Sequence, residues 1–596
     1  MTNISAGFGE RLKVASAALA LLLTAFYFAP LNMLLLNARE IFTSPGSVLQ
    51  VSWKIQASVA GTTLFFMFFM PERIYRVFAC LLLCIAGLLY LQGNFFVWNY
   101  GLFDGTDIDF EAHNTIGFVE IAFWVCMPIL AVRYQTLIWP HIHMIASGIV
   151  VLQATFLVFQ LSGGKAFTSA DEITTHTNLI RQKANGGLYD FSGRKNVLII
   201  MSDTFSSPTF EKLIRRRPLV AERLSGFTNY GNTLGVSPFT LLSVPAVLSS
   251  KAYENADTIQ SFMKDSFGEK SLPAVFKENG FNSNVITMGM YKRYMRWLPA
   301  QNTTSVLSGS EQDVQFRENL RVLDLALFRY SPHYLKREVY SEHRWLLQST
   351  LLDAGQNAGS TVSWFGRATS MMTPTSVHLA SKAIHKRFIE QASRASDKPT
   401  FKFIHLFTSH DPYLMGADGT TLSKKEYQSA TLEQRALDQC EYALEQILEM
   451  LDALKALDIY DESLIVVAAD HGSDITPGDS RPRFMIRSQP LLLIKPFSAS
   501  GDLQHSISPA SLLDIPLTVS DALGIDSSFS GYSITREKIP DSRVRNYYYF
   551  NWDNGFWTAD HLPALEKYNV AGSVDDPMSW DKLCDLMYKE SGEASC

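Results

Sequence analysis

No stretch of this 596-residue chain carries a long block of like charge, and a formal net charge of −6 is mild, so nothing in it selects for nucleic acid as a partner. Internal repeats and low-complexity tracts are also missing, which excludes repeat and fibrous architectures. Cysteine is scarce, with six in all. Cys80, Cys84 and Cys126 fall in apolar stretches, where small apolar filler is the expected role. For Cys440, Cys584 and Cys596 an oxidising compartment would allow one disulfide, such as Cys584 to Cys596, leaving one thiol over. No small-residue cleavage site follows the first apolar stretch, so that stretch reads as an anchor rather than a removable signal.

What the chain has is a sharp asymmetry. Hydrophobic residues make up 47% and charged residues 18%, and the apolar excess lies before about residue 162. Five stretches there approach the ~20 apolar residues that cross a bilayer: Lys13 to Asn37, Trp53 to Met70, Val77 to Val97, Thr115 to Val132 and His141 to Leu161. Arg11, Lys13, Arg73, Arg76 and Arg133 fall in the segments of one side. The loop after the third stretch carries Asp104, Asp107, Asp109 and Glu111 without a Lys or Arg. Basic residues mark the cytoplasmic side, so the N-terminus is expected inside and everything after Ser162 outside, with Arg39 and Lys54 blurring the pattern slightly. Residues 1–162 are therefore expected as a five-helix transmembrane domain, 163–194 as a polar linker and 195–596 as an extracytoplasmic catalytic domain.

Beyond Lys195 the pattern turns to alternating strands and helices, the rhythm of an α/β fold with parallel pairing. Asn196 to Met201 is an apolar run of strand type that delivers Ser202-Asp203-Thr204 to its end, and Leu464 to Ala469 does the same for Asp470-His471-Gly472. Ligands and catalysts collect at the carboxyl ends of parallel strands, which can bring Asp203, Asp470 and His471 together. Thr240 lies where a loop turns into an apolar helix-like segment, and a hydroxyl at a helix start beside a metal is a candidate nucleophile. A third strand, Pro399 to Phe407, contains His405 and projects Thr408-Ser409-His410. The bland alternatives are helix caps for Asp203 and Thr240 and a packed core histidine for His405. Arg215, Arg216 and Arg217 are expected on a solvated helix face. Residues 288–398 are less readable. Their aromatic and basic residues suit a membrane interface, a substrate groove or ordinary packing equally well.

Asp203, Thr240 with Pro245 five residues on, Asp470-His471 and the pair His405 and His410 together resemble the alkaline-phosphatase and sulfatase superfamily. Within it they resemble the membrane-anchored phosphoethanolamine and phosphoglycerol transferases of the lipoteichoic-acid-synthase-like type. The resemblance implies an alkaline-phosphatase-like mixed sheet flanked by helices after the five-helix membrane domain. It also implies a divalent metal, zinc first and manganese second, held by Asp203, Thr240, Asp470 and His471. Thr240 would be the nucleophile of a phospho-threonine intermediate. His410 and His405 would stabilise the transferring group or protonate a leaving oxygen, and Arg483 would contact the anion. The implied partners are a phospholipid donor, an envelope glycan or lipid acceptor and the bacterial inner membrane.

The chain departs from that pattern in four places. Val236 and Ala246 stand where these transferases place cysteines beside the nucleophile. Arg481 and Arg483 follow the Asp-His-Gly where another His is usual, and the first ligand is Asp203 where the transferases tend to have Glu. Thr240-Leu-Leu-Ser-Val replaces the Cys/Ser-x-Pro-x-Arg motif of sulfatases proper. An extracytoplasmic phosphodiesterase or sulfatase-like hydrolase and a catalytically silent lipid-binding regulator are the rival functions.

Overall fold

The computed structural model describes residues 2–37, 41, 43–100, 108–162, 167, 187–287, 302–305, 311–340, 345–348, 350, 376–475, 480–552 and 559–588. Most of the expected linker, the aromatic residues Tyr291, Tyr294 and Trp297, and Cys596 lie outside them. The chain divides into two compact units. One comprises residues 1–177 and 309–373, the other 178–308 and 374–596.

The first unit is helical. Helix α1 (Thr2–Leu23) continues through a π turn, Thr24–Phe28, into α2 (Ala29–Leu36); α3 (Pro45–Val51), α4 (Trp53–Phe69), α5 (Glu72–Asn94), α6 (Asn114–Arg133) and α7 (Ile142–Ser162) follow. Among the described residues four helical stretches are long and apolar enough to cross a membrane: 9–36, 72–94, 111–133 and 135–162. The second of the five expected spans is α4, a helix of 17 residues. At 1.5 Å per residue it is about 25 Å long, short of a ~30 Å hydrocarbon core. Its course still matches its neighbours. Arg11 midway along α1 donates to Phe68 O at 3.0 Å at the last turn of α4, and Phe66 stacks on Phe78 of α5. The Arg76 guanidinium lies over the Trp139 ring and Trp139 Nε1 donates to Glu10, so basic and interfacial aromatic residues gather at that one end.

Two further helices, Glu311–Tyr330 and His333–Tyr340, belong to this unit although the chain reaches them only after entering the second. Their polar residues bond to the apolar helices. Asn32 donates to Tyr330 Oη, Arg329 Nε to Gly93 O at 2.8 Å, and the His333 backbone N–H to Glu120 of α6 at 2.6 Å. The packing is close enough that a Cβ on Gly93 would lie 2.3 Å from the Tyr330 ring and one on Gly117 2.4 Å from His333.

The second unit is built on an eight-stranded mixed sheet. In chain order its strands are β1 (Asn196–Ser202), β2 (Thr228–Tyr230), β3 (Asn282–Thr287), β4 (Asn302–Ser305), β5 (Thr400–Leu406), β6 (Ser463–Ala468), β7 (Leu492–Lys495) and β8 (Gln504–Ser506). Their spatial order is β8-β2-β7-β6-β1-β5-β3-β4. Strands β6, β1, β5, β3 and β4 run parallel, and β7 is antiparallel to both its neighbours. Strands β1 and β6 are almost wholly apolar because both faces are covered, and β5 buries Lys402 and His405 among its apolar residues. Val197, Ile199 and Met201 enter one core with Leu241, Val244 and Val247 of helix α9 (Thr240–Ser249); Leu198 and Ile200 enter another with Phe210 of α8 (Ser207–Arg216), Phe388 of α10 (Ser376–Gln391) and Ile447 of α11 (Leu432–Ala456). A three-stranded antiparallel sheet of Val544–Tyr549, Leu565–Ala571 and Trp580–Leu586 closes the chain. Cys584 in its last strand is disulfide-bonded, with a partner outside the described residues, whereas Cys440 is buried and free.

Candidate active site

Register decides what meets at the sheet's carboxyl edge. Met201 sits opposite both His405 on β5 and Ala468 on β6. Asp203, two residues past Met201, and Asp470, two past Ala468, therefore emerge side by side, flanked by His405. The Asp203 N–H donates to Leu406 O at 2.9 Å, tying the end of β1 to β5. Thr204 then turns the chain at a φ of 60°, a left-handed conformation that a β-branched residue adopts at a cost of about 1–3 kcal/mol. Two bonds hold it there: its N–H donates to Asp470 Oδ1 at 3.2 Å and its hydroxyl to Ser409 O at 3.0 Å.

Each bland alternative has a structural answer. The cap of α8 is Ser206, whose side chain accepts from Thr209 N, so Asp203 caps nothing. Helix α9 has no side-chain cap, and Thr240 is its first residue. Thr240 Oγ1 donates to Asp203 Oδ2 at 3.2 Å and lies 3.3 Å from His471 Nε2. The helix is fixed to the same edge by Ser243, whose hydroxyl donates to Asp470 O at 2.6 Å. His405 Nε2 lies 3.3 Å from Asp203 Oδ2.

Among the described residues, ligand atoms of Asp203, His405 and Asp470 come within 4.8 Å of one another. Asp203 Oδ1, Asp470 Oδ2 and both ring nitrogens of His405 are buried without a hydrogen-bond partner. Buried polar atoms are normally paired, so three such residues, each turning one ligand atom toward the others, fit a divalent cation. His471 joins them. Its Nδ1 bonds to Gly472 O at 2.9 Å, which assigns the proton to Nδ1 and turns the lone pair of Nε2 toward Asp470 Oδ2, 3.5 Å away. The sequence reading placed His405 with the substrate; the structure sets it among the carboxylates.

Electrostatics follow this arrangement. Burial works against the charge of Asp203, yet the His405 contact and the nearby His410 and His471 hold its pKa below the ordinary carboxylate value. Burial lowers His471. For His410 burial acts in the same direction, but Asp411 and Asp203 outweigh it and lift the imidazole to about 9. The loop carrying His410 is positioned from beneath. The amide of Gln439 on α11 donates to His410 O at 2.8 Å and accepts from the N–H groups of Leu414 and Met415, and His378 Nε2 lies 2.8 Å from His410 O.

The basic residues separate. Arg216 and Arg217 pair with Asp438 and Glu441 of α11 and face away from any site. Arg483 forms a bidentate pair with Asp474 at 2.7 and 2.8 Å and lies over the Phe239 ring, one residue before Thr240. The residue that sequence reasoning missed is Arg487. It is buried, donates to Pro238 O at 2.7 Å, shares Asp474 with Arg483 and reaches within 3.3 Å of His471 Nδ1. Only its distance of four from Arg483, on one short helix, signalled it. Asp474 is held at about 2, burial opposing and Arg487 foremost among the causes that prevail.

Among solved structures the chain resembles a protein of the alkaline phosphatase superfamily from Vibrio parahaemolyticus, at 14% identity and a TM-score of 0.38 over 70% of this chain and 89% of that one. The phosphonate monoester hydrolase of Silicibacter pomeroyi matches at 11% identity and a TM-score of 0.41, over 67% and 90%. The C-terminal periplasmic domain of EcEptC from Escherichia coli matches at 13% and 0.35, over 61% and 91%. No curated protein matches the sequence. The family model described as Sulfatase matches residues 195–525, from the first sheet strand past Asp470 and His471. The chain belongs to the sulfatase family.

Proposed function

We propose that this protein transfers a phospholipid-derived head group, phosphoethanolamine ahead of phosphoglycerol, to an envelope glycan or lipid by way of phospho-Thr240. The observation that carries the reading is Thr240 Oγ1, at the start of a buried helix and within 3.3 Å of both Asp203 Oδ2 and His471 Nε2, in a chain with four helices long enough to cross a membrane. Asp203, Asp470, His471 and His405 are the residues to hold a divalent metal, zinc ahead of manganese, with Thr240 beside them. Such an ion neutralises phosphoryl charge and lowers the pKa of a nearby hydroxyl.

The chain's own groups account for the remaining steps. Thr240 Oγ1 is hydrogen-bonded to Asp203 Oδ2, which sets its lone pairs as it attacks phosphorus; its proton is lost to solvent, a loss that a bound divalent cation would favour. The P–O bond to the diacylglycerol oxygen breaks, and His410, protonated through neutral pH, gives that oxygen a proton. An acceptor hydroxyl then attacks phosphorus and gives its proton to His410, left neutral by the first step, and Thr240 leaves with a proton returned to its oxygen. Arg483, half-exposed over Phe239, is the contact for the anionic part of the substrate. Sulfate ester hydrolysis by formylglycine lacks its residue here, since Thr240-Leu-Leu-Ser-Val carries no Cys, Pro or Arg.

Sidedness belongs to the same proposal. If α4 crosses along with the four longer helices, the crossings number five, placing a cytoplasmic N-terminus and an extracytoplasmic catalytic unit on opposite faces of the bacterial inner membrane. A short span can be accommodated by local thinning of the bilayer.

The test is to incubate full-length protein with head-group-labelled phosphatidylethanolamine or phosphatidylglycerol and an envelope extract, with and without chelator. Label moving to a glycan or lipid in a chelator-sensitive way is the expected result. Free head group in solution would instead establish the hydrolase, and no turnover of either lipid the regulator.

A further inference from the structure

Within the membrane unit, α7 carries two glutamines seven residues apart, Gln153 and Gln160, which a helix places on one face about 10 Å apart along the axis. Both are buried, at 4% and 8% exposure. Their amide nitrogens are committed: Gln153 Nε2 donates to Thr24 Oγ1 at 2.8 Å and Gln160 Nε2 to Asn32 Oδ1 at 2.9 Å. Asn32 in turn donates to Tyr330 Oη, and Thr24 Oγ1 to Ala20 O. Thr24 Oγ1, committed to Ala20 O, can only accept from Gln153, which fixes that amide plane and leaves Gln153 Oε1 a buried acceptor with no hydrogen bond; Gln160 Oε1 also has none in the present amide orientation. In a hydrocarbon surrounding no solvent replaces the missing partner, so such acceptors mark a ligand site.

The two glutamines line one cavity together with Phe28, Asn32, Asn94 and Tyr330. Phe28 closes the π turn Thr24–Phe28, a helix irregularity often found at functional positions. No Lys, Arg, Asp or Glu lines the cavity, so a phosphate would find no cation there. Its free space of about 10 Å³ suits one hydroxyl-sized group. Phe156 on the lining is 44% exposed, so the cavity has an apolar flank on the outer side of α7.

We infer that this cavity seats the hydroxyl group of a neutral lipid, its O–H donating to a glutamine carbonyl while the acyl chains lie along the apolar flank. The lipid is identified by the proposed head-group transfer, which rests on the preceding reading and releases diacylglycerol: a neutral lipid with one free hydroxyl. The intact phospholipid, whose corresponding oxygen is esterified to phosphate, has no such donor at that position.

The experiment uses full-length protein in nanodiscs with a photoactivatable diacylglycerol, mapping adducts by peptide mass. Labelling is expected at residues 149–160 or Tyr330, chased by unlabelled diacylglycerol and not by phosphatidylethanolamine or free glycerol at equal concentration. Gln153→Leu and Gln160→Leu, with thermal unfolding as a fold control, are expected to lower labelling by tenfold or more. An equal chase by phosphatidylethanolamine, a chase by free glycerol, undiminished labelling of folded variants, or no adduct would each overturn the inference. The chase in unaltered protein decides even if the variants fail to fold. Labelling in a protein that transfers no head group would sink the transfer reading and leave the hydroxyl seat standing; transfer without labelling would do the reverse.

Discussion

Asp474 shows how far a single side chain supports the site. It joins Arg483 to buried Arg487, and Arg487 donates to Pro238 O, two residues before the nucleophile. Asp474→Asn removes the shared charge and leaves a buried guanidinium without its carboxylate. The expected loss is about 2 kcal/mol at neutral pH, less than for a fully buried pair because Asp474 is a third exposed. With a folded pKa of about 2 against an ordinary 3.8, the carboxylate contributes stability above about pH 3.8 and loses it as pH falls through about 2. Denaturant unfolding of the two proteins from pH 7 to pH 2 should show the difference shrinking at the acid end; a constant difference would contradict the account. His410→Gln should lower turnover by about 10²- to 10⁴-fold with folding intact, measured as initial rate of head-group release, if it supplies the leaving group's proton. Asp203, Asp470 and His471 were legible in the sequence because each ends an apolar run. His405 was not placed among them, since a lone histidine inside a strand reads the same whether it packs or ligates. Arg487 was hidden because its partners, Asp474, Pro238 and His471, come from separate segments.

At the scale of elements, β1 and β6 were legible for a simple physical reason: strands covered on both faces are almost continuously apolar, as Asn196 to Met201 and Leu464 to Ala469 are, whereas β5 carries Lys402 and His405 between its apolar residues. Helix Glu311–Tyr330 falls in the stretch that the sequence left less readable, and its place in the membrane unit was not anticipated. Its attachment runs through polar bonds, Thr43 to Asn319 at 2.6 Å and Tyr100 to His333 at 2.8 Å, between residues more than 230 positions apart, and no periodicity records such pairs. Gly93→Ala tests the attachment, because the new Cβ meets the Tyr330 ring at 2.3 Å where backbone lies on one side and a packed ring on the other. Limited proteolysis should cut within the helices Glu311–Tyr330 and His333–Tyr340 several-fold faster in the variant, with head-group chemistry at Thr240 altered less. Equal cleavage rates would mean that the ring simply moves aside.

For the whole molecule, the account joins a sulfatase-family catalytic unit to a membrane unit in one chain, and metal binding should stabilise the first. Binding at a hundredfold excess over Kd contributes about 2.7 kcal/mol to the folded state. Chelation should therefore lower the unfolding temperature of the catalytic unit and abolish turnover, both recovering on addition of zinc; an unchanged transition would argue that the orphaned donors of Asp203, Asp470 and His405 hold no ion. The crossing number is a second whole-molecule claim. An N-terminal tag should be protected in intact spheroplasts and a C-terminal tag accessible, whereas the same side for both would exclude α4 as a crossing helix. The most direct measurement concerns Thr240. Full-length protein is incubated with phosphatidylethanolamine and, separately, phosphatidylglycerol in the presence of zinc and without acceptor, and then analysed by intact mass and peptide mapping, with Thr240→Ala as control. The account predicts a head-group phosphate adduct on Thr240, absent from the control, whose mass names the donor. Head-group release from either lipid at the same rate in Thr240→Ala as in the unaltered protein, with no adduct on Thr240, would contradict it.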